Sequence, residues 1–166
     1  ATHRARLGEQ RLAPTGWDRS RAERSLTRAD VAVDALFGTG FRGTPDGPWH
    51  EAIATLNASA VPVVAVAIAS GVDGASGRVD GSAVWADLTV AFGAAKLGSV
   101  LLPGAERSGA VRVVDIGFPD DLLRPSIGLI EPADVLDVLP GRSMEGHKRT
   151  SGVLLVVAGS RRMTGA

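Results

Sequence analysis

Residues 31–44 read VAVDALFGTGFRGT, an apolar run that passes directly into a glycine-rich turn. We predict a strand over Val31–Phe37, because apolar and β-branched side chains favour a buried, pleated backbone. The glycines that follow let the main chain approach a ligand closely and turn its N–H groups toward an anion. The stretch therefore predicts a nucleotide-type site at the end of a buried strand.

Three more apolar runs follow this one at fairly regular spacing, over Val61–Ile68, Leu88–Phe92 and Val111–Ile116. They are nearly continuous in apolar character rather than alternating, which is typical of parallel strands covered on both faces. The second run ends in AIASGVD, residues 67–73, so two neighbouring strand tips are expected to face one cavity. The pattern predicts an α/β fold with a mostly parallel sheet.

Three helices are predicted beside these strands. A surface helix is expected over Asp18–Arg28, and a second helix begins after Asp46, which can cap it, and ends near Asn57. A short helix is expected over Pro132–Leu139. The connection Gly71–Asp87 is expected to be loop-like, and any helix within it would be short, at about Ser82–Ala86. The helices and strands alternate as in a layered α/β domain.

The chain changes character after Pro119. Prolines recur, residues 142–151 are polar and resemble a linker, and Gly152–Ser160 is predicted to be a last strand. A lone strand after a linker has no partner of its own. It would either join the preceding sheet or open a second domain of which this chain holds only the beginning, and we expect the second domain.

Composition excludes several classes of protein. The chain has 166 residues, is 45% hydrophobic and 22% charged, and has a formal net charge of +0, which suits a globular domain and gives no electrostatic case for nucleic acid or an anionic membrane. No apolar run reaches the roughly 18 residues that a membrane span needs. There are no cysteines, which excludes disulfides and thiolate metal sites and is compatible with the cytoplasmic location that we expect.

Several motifs in order resemble the NAD(P)H-hydrate epimerase family of the YjeF N-terminal type. They are VDALFGTG (33–40), IASGVD (68–73) with Gly77, ADLTVAFG (86–93) with KLG (96–98), VDIG (114–117), and HKRTSG (147–152) with AGS (158–160) and GA (165–166). The last group is similar to the opening of an ADP-dependent NAD(P)H-hydrate dehydratase of the ribokinase-like type. The resemblance covers about residues 30–166.

The resemblance implies a Rossmann-like three-layer sandwich that is truncated at its N-terminus. Residues 1–124 would be a partial epimerase domain, 125–150 a linker, and 151–166 the start of the dehydratase domain with its first strand. In the full-length protein, the family epimerises hydrated NADH or NADPH at the hydrated nicotinamide carbon and couples this isomerase step to a lyase step, ADP- or ATP-dependent dehydration. Potassium, Mg²⁺ with ADP or ATP, and a homo-oligomeric state are implied in the same way.

The resemblance also assigns site residues. Asp34 and Ser70 match potassium ligands, and Ala166 matches a dehydratase substrate contact. The substrate-binding positions are Gly38, Thr39, Gly40, Phe41, Arg42, Gly43, Thr44 and Ala67. Arg42 and the backbone N–H groups of the loop would meet the pyrophosphate.

One residue departs from the family pattern. The family has an aspartate where this chain has Ala67, and a methyl group can neither accept a proton nor hydrogen-bond a sugar hydroxyl. No catalytic residue of the family is retained, and the family's asparagine- and glycine-rich loop, with a further potassium ligand, would precede residue 1. From the sequence, these 166 residues by themselves can therefore be either active or inactive as an epimerase.

Two other functions remain as alternatives. A non-catalytic α/β module that binds a nucleotide or a partner protein is favoured by the missing carboxylate at Ala67. An unrelated Rossmann-type dehydrogenase would need a helix directly at the glycine turn and an acidic residue roughly 20 positions on. Here Thr44–Gly47 intervenes and the region Ala58–Pro62 is apolar, so the dehydrogenase is disfavoured.

Overall fold

The structure is a computed structural model that describes residues 16–119, 127–139, 141, 144–147 and 152–161. The chain divides into two compact units, with the boundary between Arg124 and Pro125. No helix within the described ranges is long and apolar enough to cross a membrane.

The first unit contains a four-stranded parallel sheet in the order β1-β2-β3-β4. In chain order its elements are α1 (Arg19–Leu26), β1 (Ala32–Asp34), α2 (Gly47–Asn57), β2 (Val63–Val66), β3 (Leu88–Phe92), a 3-10 helix (Leu97–Ser99), α3 (Gly104–Ser108) and β4 (Ala110–Val114). The α/β, Rossmann-like class predicted from the sequence is confirmed.

The buried core lies on one face of this sheet. Residue pairing places Ala65 beside Asp34 on one side and beside Thr89 on the other, and all three are at most 1% exposed. Helix α2 covers this face with Ile53, which is fully buried. Alternation along a strand puts every second residue on the same face, so the buried strand positions form one continuous row.

The opposite face is more open among the described residues. Val33 in β1 is 64% exposed and Val114 in β4 is 43% exposed. Val64 and Val90, which lie between them, are half-buried and belong to no part of the buried core. A helical layer on this face, which a three-layer sandwich requires, stays a prediction.

The two longer helices form where the sequence predicts them. Asp18 caps α1, since its Oδ1 accepts a hydrogen bond from the backbone N–H of Arg21 at 2.8 Å. Helix α2 begins after Asp46, has a proline in its first turn and ends at Asn57. On the inner side, Ala22 and Leu26 of α1 are half-buried, as their i, i+4 spacing indicates, and Ala52 and Ile53 of α2 are buried.

Strand β1 ends earlier than predicted, at Asp34 rather than Phe37. The backbone N–H of Leu36 donates to the Asp34 carboxylate, and that of Phe37 donates to the hydroxyl of Ser70 at 2.9 Å. These N–H groups are therefore taken from the sheet ladder by side chains, which compete with regular backbone pairing. Strand β1 is therefore short because of these side-chain hydrogen bonds, and not because its residues have a weak strand propensity.

The connection between β2 and β3 is loop-like, as predicted, and the short helix that the sequence allowed at Ser82–Ala86 does not form, because this segment has no regular secondary structure. The side chain of Asn57 donates to the carbonyl of Ala83 and accepts from the N–H of Trp85, both at 2.9 Å. The N–H of Val84 donates to the carbonyl of Ser70. With its backbone groups bound to other segments, the chain cannot close helical turns here.

The second unit contains α4 (Pro132–Val138), which confirms the helix predicted there. Glu131 and Asp134 form a capping box, in which the N–H of Glu131 donates to the Asp134 carboxylate at 2.7 Å. The strand predicted over Gly152–Ser160 is not formed in residues 152–159, and Val153 is 96% exposed. A strand needs neighbours to pair with, and apolar character alone does not supply them.

Candidate functional site

The candidate site lies at the carboxyl ends of β1 and β2. These strands are parallel neighbours, with Asp34 paired to Ala65, so the segments that follow them leave the sheet at the same edge. Ligands of open parallel sheets bind outside this edge. The two strand tips that the sequence predicts to share a cavity are thus adjacent.

A compact hydrogen-bonded junction joins the two tips. The Ser70 hydroxyl donates to Oδ1 of Asp34 at 2.6 Å, and the Ser70 N–H donates to Oδ2 at 2.8 Å. The same hydroxyl accepts the N–H of Phe37 at 2.9 Å. Asp34 and Ser70, predicted to act together from 36 positions apart, are in direct contact.

The environment of Asp34 suits a cation. Its side chain is buried at 1% exposure, and within the described ranges it forms no salt bridge, so its partners are neutral N–H and O–H donors. A buried carboxylate without a countercharge is costly, and carboxylate and hydroxyl oxygens are ligands that hard cations prefer. The described residues contain no cluster of three or more His, Asp or Glu that could hold a metal by itself.

The loop of residues 38–44 is open to solvent. Its residues are exposed apart from Phe41, which is half-buried and whose ring stacks on that of Phe37 at a centroid distance of 4.3 Å. Only the N–H of Phe41 has a partner among the described residues, the carbonyl of Gly38. The other N–H groups of the loop are therefore available to a ligand, as a phosphate cradle requires.

Arg42 is bound to the protein on one side. Its Nε donates to the Asp73 carboxylate at 3.1 Å, and its Nη1 donates to the carbonyls of Phe41 and Thr39 at 2.7 and 3.2 Å. The ion pair connects the loop after β1 to the loop after β2. The two residues of this ion pair line a cleft of about 370 Å³, together with Phe41, Gly43, Ser76, Arg78 and Asp80.

Asp73 is the anchor of the second loop. Its Oδ1 accepts the N–H groups of Ala75 and Ser76 and the hydroxyl of Ser76, all within 3.0 Å. The Ser76 hydroxyl bond is the main reason that the pKa of Asp73 lies below its usual value, with a smaller contribution from the charge of Arg42. The Asp-x-x-Ser spacing predicts this turn from the sequence, but it did not indicate that Asp73 belongs to the site.

Ala67 occupies an unusual backbone conformation. Its φ is +69°, the left-handed region, and its N–H donates to the carbonyl of Val90 at 2.8 Å. Among residues other than glycine, asparagine and aspartate tolerate this region best. The conformation thus suits the aspartate that the family resemblance expects here better than it suits alanine.

Three further polar residues have structural partners, and one residue of the predicted site lies outside the residues that the structure describes. Lys96 donates to the carbonyls of Phe92 and Ala94, and His50 contacts Ser82. Asp87 accepts the N–H of Val63 and so fixes the start of β2. Ala166 lies outside the described residues.

Comparison with known proteins finds one matching family and several relatives that share one name. Residues 5–98 match the family described as "YjeF-related protein N-terminus". A bifunctional NAD(P)H-hydrate repair enzyme Nnr from Thermofilum pendens is 44% identical over 90% of this chain, and one from Moorella thermoacetica is 39% identical over 96%. One from Mycobacterium leprae is 40% identical over 82%.

This chain spans about 29% of the length of the Thermofilum and Moorella relatives. The family match covers more than half of the chain and includes both strand tips, the open loop and the Asp34–Ser70 junction. The chain belongs to the family of YjeF-related protein N-termini.

Proposed function

We propose that this chain forms the substrate-binding part of an NAD(P)H-hydrate epimerase. The observation that carries the proposal is the Asp34–Ser70 junction, which joins two strand tips beside a loop whose N–H groups, apart from that of Phe41, have no partner among the described residues. The relatives are named as bifunctional NAD(P)H-hydrate repair enzymes, which supports hydrated NADH or NADPH as the substrate. ADP- or ATP-dependent dehydration with Mg²⁺ is proposed for the whole protein.

The open loop would bind the diphosphate of the substrate. Apart from that of Phe41, its N–H groups have no partner among the described residues, and a Cβ at Gly38 or Gly40 would meet no atom within 4 Å. Gly43 has a φ of +92°, which disfavours any other residue. Arg42 at the edge of the loop supplies positive charge for the phosphates.

Asp34 and Ser70 would hold the potassium ion that the family resemblance implies. The buried carboxylate and the Ser70 hydroxyl supply hard oxygen ligands, and Asp34 has no countercharge within the described part of the chain. A bound potassium ion would offset this charge and attract the substrate's phosphates. Ser70 keeps its hydroxyl in place by accepting the N–H of Phe37.

Position 67 would face the reacting part of the substrate. Ala67 follows β2 directly, and its methyl group cannot move a proton. We therefore expect slow epimerisation by the unmodified chain. Ala67→Asp would restore a carboxylate at a backbone conformation that aspartate tolerates.

The test supplies a single epimer of hydrated NADPH and follows interconversion by chromatography. We expect Ala67→Asp to accelerate interconversion by about 100-fold, which is an ordinary contribution of a positioned acid or base. Ala67→Asn is the matched control, because it has the same shape and backbone tolerance without the carboxylate. Equal rates for the two variants would remove the carboxylate from the mechanism, and rapid turnover by the unmodified chain would contradict the role of position 67.

A second candidate is a binding module without catalysis, which the missing carboxylate at Ala67 favours. Such a module would be stabilised by NADP⁺, seen as a rise in its unfolding temperature, while no variant at position 67 gained turnover. The epimerase proposal predicts both stabilisation by NADP⁺ and a gain of turnover in Ala67→Asp. Absence of stabilisation by NADP⁺ would contradict both candidates.

A further inference from the structure

Two nitrogens of the Arg42 guanidinium have protein partners, and the third has none within the described part of the chain. Nε donates to Asp73 and Nη1 donates to two carbonyls, those of Phe41 and Thr39. A guanidinium carries five N–H donors, and Nη2 has no partner within the described part of the chain. The three contacts thus fix the plane of the group and leave two N–H donors for a ligand.

The Asp73 side of this contact is rigidly built. The Asp73 N–H donates to the carbonyl of Arg78, and its own carbonyl accepts the N–H of Gly77, both at 2.9 Å. Gly98 packs so closely that a Cβ there would lie 2.3 Å from the Asp73 carbonyl oxygen. The Asp73 carboxylate is therefore a fixed point, with 21% of its side chain exposed against 58% for Arg42.

We propose that Asp73 is a positioning residue, which orients Arg42 so that Nη2 meets the phosphates of a dinucleotide bound by residues 38–44. The inference rests on the proposed function. An arginine side chain that is not held samples many rotamers and loses that freedom on binding. The fixed carboxylate removes this loss in advance, which is the benefit of preorganisation.

If Asp73 acted only through its charge, removing it would strengthen anion binding. If Asp73 orients Arg42, removing it would weaken anion binding, so the two roles can be separated. Deleting a negative charge beside an anion site favours the anion through electrostatics alone. Asp80 provides the matched control, because it pairs with Arg78 at 3.0 Å and lines the same cleft, and within the described ranges it forms no hydrogen bond or ion pair with Arg42. Asp73→Asn keeps an oxygen acceptor for the turn while it removes the charge.

The experiment measures NADP⁺ binding by calorimetry to the unmodified chain and to D73N and D80N. We expect about five-fold weaker binding by D73N, the size of an exposed ion pair, and unchanged or tighter binding by D80N. Equal or tighter binding by D73N would overturn the inference alone. Absence of binding by the unmodified chain would contradict the proposed function and the inference with it.

A spectroscopic readout distinguishes positioning from a general structural role. The Arg42 Nε–H resonance should be protected from exchange in the unmodified chain and in D80N, and should lose its protection in D73N. Arg42→Lys leaves the turn after Asp73 intact and should weaken binding, with no further loss when D73N is added. If D73N does not fold, unchanged NADP⁺ binding by Arg42→Lys overturns the inference, because lysine lacks the Nη2 donors. Additive losses or a protected resonance in D73N would overturn it as well.

Discussion

The two loops that meet beside β1 and β2 are built in opposite ways. In the open loop, residues 38–44, a Cβ added at Gly38 would meet no atom within 4 Å. In the anchored loop, residues 71–79, a Cβ added at Gly71 would lie 2.3 Å from the carbonyl oxygen of Ser82. Glycine thus leaves room for a ligand in one loop and allows close backbone packing in the other.

This difference suggests how the site divides its work. Asp73 in the anchored loop, and Ser70 just before it, are held through hydrogen bonds of their own backbone groups. The open loop offers N–H groups that, apart from that of Phe41, have no partner within the described ranges, and Arg42 ties it to Asp73 of the anchored loop. Just before the open loop, the N–H of Phe37 donates to the Ser70 hydroxyl. A ligand would therefore be met by one rigid side and one exposed side.

The largest expected effect comes from glycine substitution in the anchored loop. Gly71→Ala should destabilise the chain by about 3 kcal/mol, because its φ of +94° is unfavourable for alanine and the new Cβ would overlap Ser82. The free energy of unfolding from urea titration checks this. Gly38→Ala is the matched control and should change stability by less than about 0.5 kcal/mol. Equal losses would remove the distinction between the loops.

Asp34→Asn should have the next largest effect on stability, a loss of about 2 kcal/mol. Three donors converge on this carboxylate, and an amide would place its own NH₂ against one of them. Replacing sodium by potassium should raise the unfolding temperature of the unmodified chain but not that of the variant. If potassium also raises the unfolding temperature of the variant, Asp34 is not a ligand of the ion.

A smaller effect of the opposite sign is expected at Ala67. Ala67→Gly should stabilise the chain by up to about 1 kcal/mol, because glycine adopts the φ of +69° without the steric cost that alanine carries. The gain is reduced by the greater freedom of glycine in the unfolded chain. A clear loss of stability in urea titration would show that the Ala67 methyl group contributes packing that outweighs the strain.

The smallest expected effect is the pH dependence of the Asp73 contacts. The folded-state pKa is lowered, so the stabilisation is complete above the ordinary pKa of 3.8 and is lost as the pH falls through the folded value. The stability difference between the unmodified chain and D73N should be constant near neutral pH and shrink below pH 3.8. A difference that instead shrinks between pH 5 and 8 would contradict this assignment.

The sequence predicted the parts of the fold that follow from periodicity and capping. Helix α2 was located from Asp46, which is its N-cap residue although its side chain forms no cap hydrogen bond, and β3 was predicted with the bounds it has, Leu88–Phe92. The sequence allowed a short helix at Ser82–Ala86 within a loop-like connection, and none forms because Asn57 hydrogen-bonds that segment from outside. Such long-range side-chain contacts leave no local pattern in the sequence.

The site was predictable where it depended on residue types at strand ends. Asp34 and Ser70 were paired through the resemblance, and they are in contact in the structure. The Arg42–Asp73 ion pair was not predicted, because nothing local indicates which carboxylate an exposed arginine will meet. The left-handed backbone at Ala67 was hidden for a related reason, since alanine gives no turn signal.

The most direct test of the account is a titration of the isotope-labelled chain with NADP⁺, followed by backbone amide chemical shifts. The account predicts the largest shifts in residues 38–44 and 67–73, at the carboxyl ends of β1 and β2. A larger cleft of about 820 Å³, lined by residues 58–62 among others, lies at the amino ends of the same strands. Shifts concentrated there, with the glycine loop unchanged, would contradict the account.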